Sequence, residues 1–214
     1  MQQLTEESSE KAESKPLAPR AVVVIGASTG GPTALAQILP KFPKGFQASI
    51  VVVQQMRPGF TKLLARQLNG LSALAVDEAE NYQPLSAGAA LLAPGDCAVT
   101  IERSHAAPEQ PFLIRTQDVS GSVEKMRRRI NDMMISAAAQ IGPRAIGVLL
   151  TGIGDDGCDG MKEIRNKGGK TLAQDESSSI VFDMPRHAIE AGVVDEVLPL
   201  WSIPDRIIEL VGDS

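Results

Sequence analysis

The sequence predicts an α/β fold: a doubly wound, mostly parallel open sheet with helices on both faces and a short antiparallel hairpin insertion. Three observations carry this expectation. Residues 21–26, 48–54, 71–77, 89–94 and 145–152 are almost wholly apolar and rich in valine, isoleucine, leucine and alanine, the pattern of strands covered on both faces. Segments with helical spacing lie between most of them. Such alternation is satisfied by parallel strands joined through crossover helices.

The elements follow in order. AVVVIG (21–26) is the first strand and PTALAQILPKF (32–42) the first helix, with Pro32 near its start, where a missing N–H costs nothing. ASIVVVQ (48–54) leads through Pro58 into FTKLLARQLNG (60–70), which stops at a glycine. The runs 71–77 and 89–94 are two further strands. AVTIER (98–103) and PFLIRT (111–116) flank a polar loop and read as the hairpin. Residues 123–142 form one long helical pattern ending at Gly142, before the strand 145–152. Two more helical stretches, 158–169 and 185–192, complete the series. The polar, charged segment 1–19 is expected to be a disordered tail or linker remnant, with one domain over 20–214.

Bulk properties narrow the function classes. The 214 residues carry a net charge of −5 and 43% hydrophobic side chains, the balance of a globular protein with no nucleic-acid surface. Lys125–Ile130 (KMRRRI) is the one basic cluster. Cys97 and Cys158 form neither a disulfide framework nor a metal motif, so no metal and no cofactor is expected. No membrane-length apolar run or signal peptide is evident. A cytoplasmic protein without membrane insertion is the expectation, with a monomer as default.

The turn after the first strand holds the chemistry. It lacks the lysine of a Walker loop, and Ser28 stands where a dinucleotide fingerprint needs its second glycine. Gly26-Ala27-Ser28-Thr29-Gly30 instead matches G-x-S-x-G between strand and helix, which exposes a serine oxygen at the sheet edge. A capping serine is the competing reading. The loops after residues 48–54 and 145–152, the second carrying Asp155 and Asp156, end at the same edge and converge on Ser28.

With those loops in view, the chain resembles the CheB family, the chemotaxis protein-glutamate methylesterases. IGASTGGP, QMRPGFT, LAPGD, LLTGIGDDG and AQDESSSIVFDMPRHAIEAG correspond to family segments in family order, over about residues 21–211. The resemblance implies hydrolysis of glutamate methyl esters, or deamidation of glutamines, on the cytoplasmic region of chemoreceptors. It also implies a receiver domain as a possible partner, none being expected within these residues. It puts Ser28 at the nucleophile, Asp156 at the carboxylate that orients a histidine, and Thr29 with Ile153 on the oxyanion side. The family histidine belongs before Met56, where this chain has Gln55.

An amide does not take a serine proton near neutral pH, so impaired catalysis is expected. His187, in the order Ser28…Asp156…His187, is a candidate displaced base, and His105 a weaker one. Arg127-Arg128-Arg129-Ile130-Asn131 replaces a family R-P-S-V-D, and Asp183 precedes Met184 where the family has glycine; these changes bear on substrate placement. A non-catalytic binding scaffold is the alternative function, and a nucleotide-binding Rossmann-like domain the outsider.

Overall fold

A computed structural model describes residues 17–104 and 109–212. The strands are β1 (Ala21–Ala27), β2 (Ala48–Gln54), β3 (Ala75–Glu78), β4 (Ala89–Leu92), β5 (Cys97–Arg103), β6 (Phe112–Asp118), β7 (Ala145–Leu149), β8 (Lys170–Gln174) and β9 (Glu196–Leu198). The helices are α1 (Gly31–Ile38), α2 (Phe60–Leu71), α3 (Val123–Arg127), α4 (Arg129–Ile141), α5 (Cys158–Asn166), α6 (Asp183–Glu190) and α7 (Ile203–Gly212). Seven strands form one parallel sheet in the order β3-β4-β2-β1-β7-β8-β9, and β5 with β6 forms a separate antiparallel hairpin. The expected doubly wound fold is the observed one.

Burial on both faces explains why the central strands are unbroken apolar runs. Val23 and Ile25 of β1 pack with Leu35, Leu68, Ile203 and Ile207, from α1, α2 and α7. Val22 and Val24 face the other layer, with Ile130, Met134 and Ala138 of α4, Met161 of α5, and Ile101 and Ile114 of the hairpin. The hairpin is fastened to α4 where Ser136 Oγ accepts the Ile101 N–H at 3.0 Å.

Several elements differ from the sequence expectation. The run 71–77 yields only the four-residue β3, because α2 continues through Leu71. The long helix is divided at Arg128, whose φ of −111° and ψ of 9° leave the helical region. Two strands and one helix, β8, β9 and α7, were not anticipated; β8 and β9 have five and three residues, too few to display a period. At the N-terminus, Leu17 O accepts the Ala87 N–H at 2.9 Å and Pro19 is buried. The last residues of the expected tail therefore lie against the domain, and the remainder, 1–16, falls outside the described residues. No helix among the described residues is long and apolar enough to cross a membrane.

The strand order places β1 between β2 and β7. The chain leaves β1 toward β2 on one side and later enters β7 on the other. Loops diverge at such a switch point and open a crevice at the carboxyl ends of the strands. The loops carrying Ser28, Gln55 and Asp156 follow β1, β2 and β7.

Candidate active site

The three loops are tied together at that crevice by their own backbones. Ser28 N–H donates to Thr151 O at 3.1 Å, and Gln55 N–H donates to Ala27 O at 2.8 Å. Gln54, buried at the end of β2, donates from Nε2 to Ser28 O at 2.8 Å and to Gln55 O at 3.1 Å. Thr151 Oγ1 donates to Thr29 O at 2.9 Å. Ser28 is half-buried and Thr29 exposed at the mouth of a cleft of about 770 Å³. Gln55, Ile153 and Asp156 line the same cleft.

Two glycines permit the close approach. A Cβ on Gly152 would come within 2.7 Å of Ser28 Cβ and 3.0 Å of Ser28 N. A Cβ on Gly31 would collide with the Gln54 side chain. Gly152→Ala is expected to push Ser28 out of place and to cost about 1–3 kcal/mol of stability, read as a lower thermal midpoint together with slower labelling of Ser28 by a fluorophosphonate.

Asp156 is the buried centre of the site, with 5% of its surface exposed. Its Oδ2 accepts the Ile130 N–H at 3.0 Å and the Gln55 Nε2–H at 2.9 Å, and its Oδ1 accepts the Asn131 N–H at 2.9 Å. Asp156 thus caps the first turn of α4 from another loop, where an anion meets unsatisfied N–H groups and the positive end of the helix dipole. A carboxylate waiting there gives a physical reason for the helix to restart after Arg128. Burial pushes the Asp156 carboxyl up to about 6, against the three hydrogen bonds that pull it down.

Asn131 and Arg129, which the sequence suggested as disturbances of substrate placement, are both internal braces. Asn131 Oδ1 accepts the Gly157 N–H at 3.0 Å and the Gly160 N–H at 2.9 Å, which locks the loop after Asp156. Its uncharged amide does this without setting a second buried carboxylate beside Asp156. Arg129 is 2% exposed and donates from Nη1 to Pro94 O at 3.0 Å and Gly95 O at 2.8 Å. Asn131→Asp is expected to raise the Asp156 carboxyl further, and Asp156 titration followed by carboxyl ¹³C chemical shift measures it. The bracing contacts of Asn131, Arg129 and Gln54 are not legible in the sequence, since each reaches a loop distant in the chain.

The backbone N–H groups of Thr29 and Ile153 make no hydrogen bond among the described residues, and both residues line the cleft. His187 is elsewhere. On α6, its Nδ1 lies 3.0 Å from Gly154 O and 3.6 Å from Asp183 Oδ1, and it is not among the cleft-lining residues. Asp183 Oδ2 accepts the Gly154 N–H at 2.8 Å, so this residue holds the loop that carries Ile153. His105 lies outside the described residues. Burial pushes the Cys97 and Cys158 thiols up to about 11, so neither is a thiolate nucleophile at neutral pH. Among the described residues no cluster of His, Cys, Asp and Glu is grouped to hold a metal ion.

Comparison with known proteins agrees with this architecture. The family model described as CheB methylesterase matches residues 23–207. The chain is 43% identical over 198 residues to the protein-glutamate methylesterase/protein-glutamine glutaminase of Pyrococcus horikoshii, covering 92% of this chain and 52% of that protein. It is 44% identical over 190 residues to the protein of the same description in Moorella thermoacetica, covering 89% of this chain and 44% of that one. The chain therefore spans about half the length of the curated relatives it matches. The crystal structure of the Thermotoga maritima CheB methylesterase catalytic domain superposes with a TM-score of 0.82 at 39% identity, covering 89% of this chain and 98% of that one. A shared sheet, a shared loop order and these identities lead to one assignment: the chain belongs to the CheB methylesterase family.

Proposed function

We propose that this chain is a protein-glutamate methylesterase domain whose serine site keeps its frame and has lost its general base. In this reading Ser28 is the nucleophile, Asp156 the orienting carboxylate, and the free N–H groups of Thr29 and Ile153 the oxyanion donors. Gln55 stands at the family's histidine position. The observation that carries the proposal is the 2.9 Å hydrogen bond from Gln55 Nε2–H to Asp156 Oδ2, the bond an orienting carboxylate would accept from an imidazole Nδ1–H.

The chemistry follows from what that amide lacks. Ser28 Oγ must add to the ester carbonyl carbon while a base removes its proton. The same base then returns the proton to the departing methoxide, and water hydrolyses the acyl-serine to the free glutamate. Developing charge on the carbonyl oxygen would be met by the Thr29 and Ile153 N–H groups. Gln55 hydrogen-bonds but holds no proton for the relay, so turnover falls by about 10⁴- to 10⁶-fold relative to an intact triad.

The substrate in this reading is a methylated glutamate on the cytoplasmic region of a chemoreceptor, and residues 20–214 form the domain that acts on it. A receiver domain is a possible regulatory partner, and the cytoplasm the expected site of action. The half-buried Gln55, whose amide donates to Asp156, also favours a second reading, a receptor-binding scaffold without turnover. A nucleotide site is disfavoured, because Gly31 N–H is spent on Ser28 O at 2.9 Å and the space at Gly31 is filled by Gln54. Methanol release from methylated receptor by wild type and Ser28→Ala tests the proposal. Low but Ser28-dependent release is expected; release unaffected by Ser28→Ala would overturn it.

A further inference from the structure

Two arginines in the cleft wall have no function in the site described above. Arg57 lies in the loop between β2 and α2, and Arg127 ends α3; both are exposed and both line the cleft that holds Ser28. Neither guanidinium makes an ion pair or hydrogen bond among the described residues. Their neighbours differ in this respect: Arg128 reaches Asp132 and Asp159, and Arg129 is buried on backbone carbonyls.

The supports of both side chains are built. The loop of Arg57 rests on Gly95, where a Cβ would approach Arg57 O to 2.8 Å, and Gly95 O is itself held by Arg129 Nη1. Arg127 is carried by α3, which Ser122 caps by accepting the Lys125 N–H at 3.3 Å. Between them the cleft offers apolar surface from Met56, Pro58, Val123 and Met126. Among the described residues Asp155 is the one exposed carboxylate lining it, against the two cations left without a partner there. A locally cationic rim on a chain of net charge −5 attracts carboxylates and repels basic segments.

We propose that Arg57 and Arg127 are specificity-determining residues that hold carboxylate side chains flanking the residue presented to Ser28. The occupant is an acidic, amphipathic protein segment whose apolar side lies on Met56, Pro58, Val123 and Met126. The inference rests on the proposed receptor-directed site but concerns recognition, so it is tested by binding without turnover.

The probe is a fluorescein-labelled helical peptide with a central glutamine flanked by glutamates, compared by anisotropy with its twin flanked by glutamines. Wild type is expected to prefer the glutamate peptide. Exposed ion pairs contribute about two- to fivefold each, so Arg57→Gln with Arg127→Gln should remove a preference of about tenfold. Added salt should weaken that preference. Lys62→Gln with Arg66→Gln, which changes net charge equally on α2 outside the cleft lining, should retain it. Equal affinity of wild type for both peptides, survival of the preference in the cleft double variant, or its loss in the α2 control would each overturn the proposal. Ser28 labelling reports separately on the esterase reading, so the two fail independently.

Discussion

Gln55→His is expected to raise the rate of Ser28 labelling by a fluorophosphonate about 10²- to 10⁴-fold, the usual contribution of a positioned general base. The reason is geometric. Asp156 Oδ2 already accepts a side-chain N–H from residue 55 at 2.9 Å, so an imidazole there finds a partner for Nδ1–H and leaves Nε2 for the serine proton. Labelling of the variant should climb as pH rises through the imidazole range, because only the neutral ring accepts that proton. The Asp156 carboxyl, pushed up to about 6 by burial, is ionised over the upper part of the same window. Methanol release from methylated receptor should rise in parallel. Robust wild-type turnover abolished by His187→Ala would overturn this account in favour of a relocated base. That outcome is unexpected with Nδ1 of His187 on Gly154 O.

Asp156→Ala carries the largest expected loss of stability, about 2–4 kcal/mol. The substitution leaves the Ile130 and Asn131 N–H groups buried without an acceptor, each costing about 1–3 kcal/mol, and α4 loses its anionic cap. Relief of the burial of a charged carboxyl offsets part of this. The effect depends on pH with a definite sign. The folded-state value of about 6 lies above the ordinary 3.8, so the folded protein binds this proton more tightly than the unfolded chain. The associated stability is fully present below about pH 4 and is lost as pH rises through 6. The gap between wild type and Asp156→Ala should therefore narrow from pH 4 to pH 7, by about 2–3 kcal/mol. Urea unfolding of both proteins across that range measures it; a gap that widens would mean that the capping hydrogen bonds outweigh burial.

The legible part of the molecule is the part written in short-range pattern. Runs such as AVVVIG and ASIVVVQ are apolar at every position, and only a strand buried on both faces asks for that. From alternating strands and helices follow the parallel sheet, its carboxyl edge, and the meeting of the loops after β1, β2 and β7. The glycine-flanked Ser28 and the ordered motifs of the family are likewise local strings. The hairpin was readable for the same reason: its two segments are adjacent in the chain, joined by a polar loop.

Other features have no local signature. The division of the helix at Arg128 is decided by Asp156, whose oxygens occupy the N-terminal turn of α4; nothing in residues 123–142 announces it. The short strands β8 and β9, beyond β7 in the sheet, owe their existence to pairing with a neighbouring strand. The arginines at 127 to 129 look alike as letters. One is buried on the carbonyls of Pro94 and Gly95, one pairs with two aspartates, and one lines the cleft with no partner among the described residues. By itself the sequence determined the fold class, the family motifs and the glutamine at position 55. Tertiary structure alone decided the role of each polar side chain around them, because hydrogen bonding and burial depend on which distant backbone groups arrive at the same place.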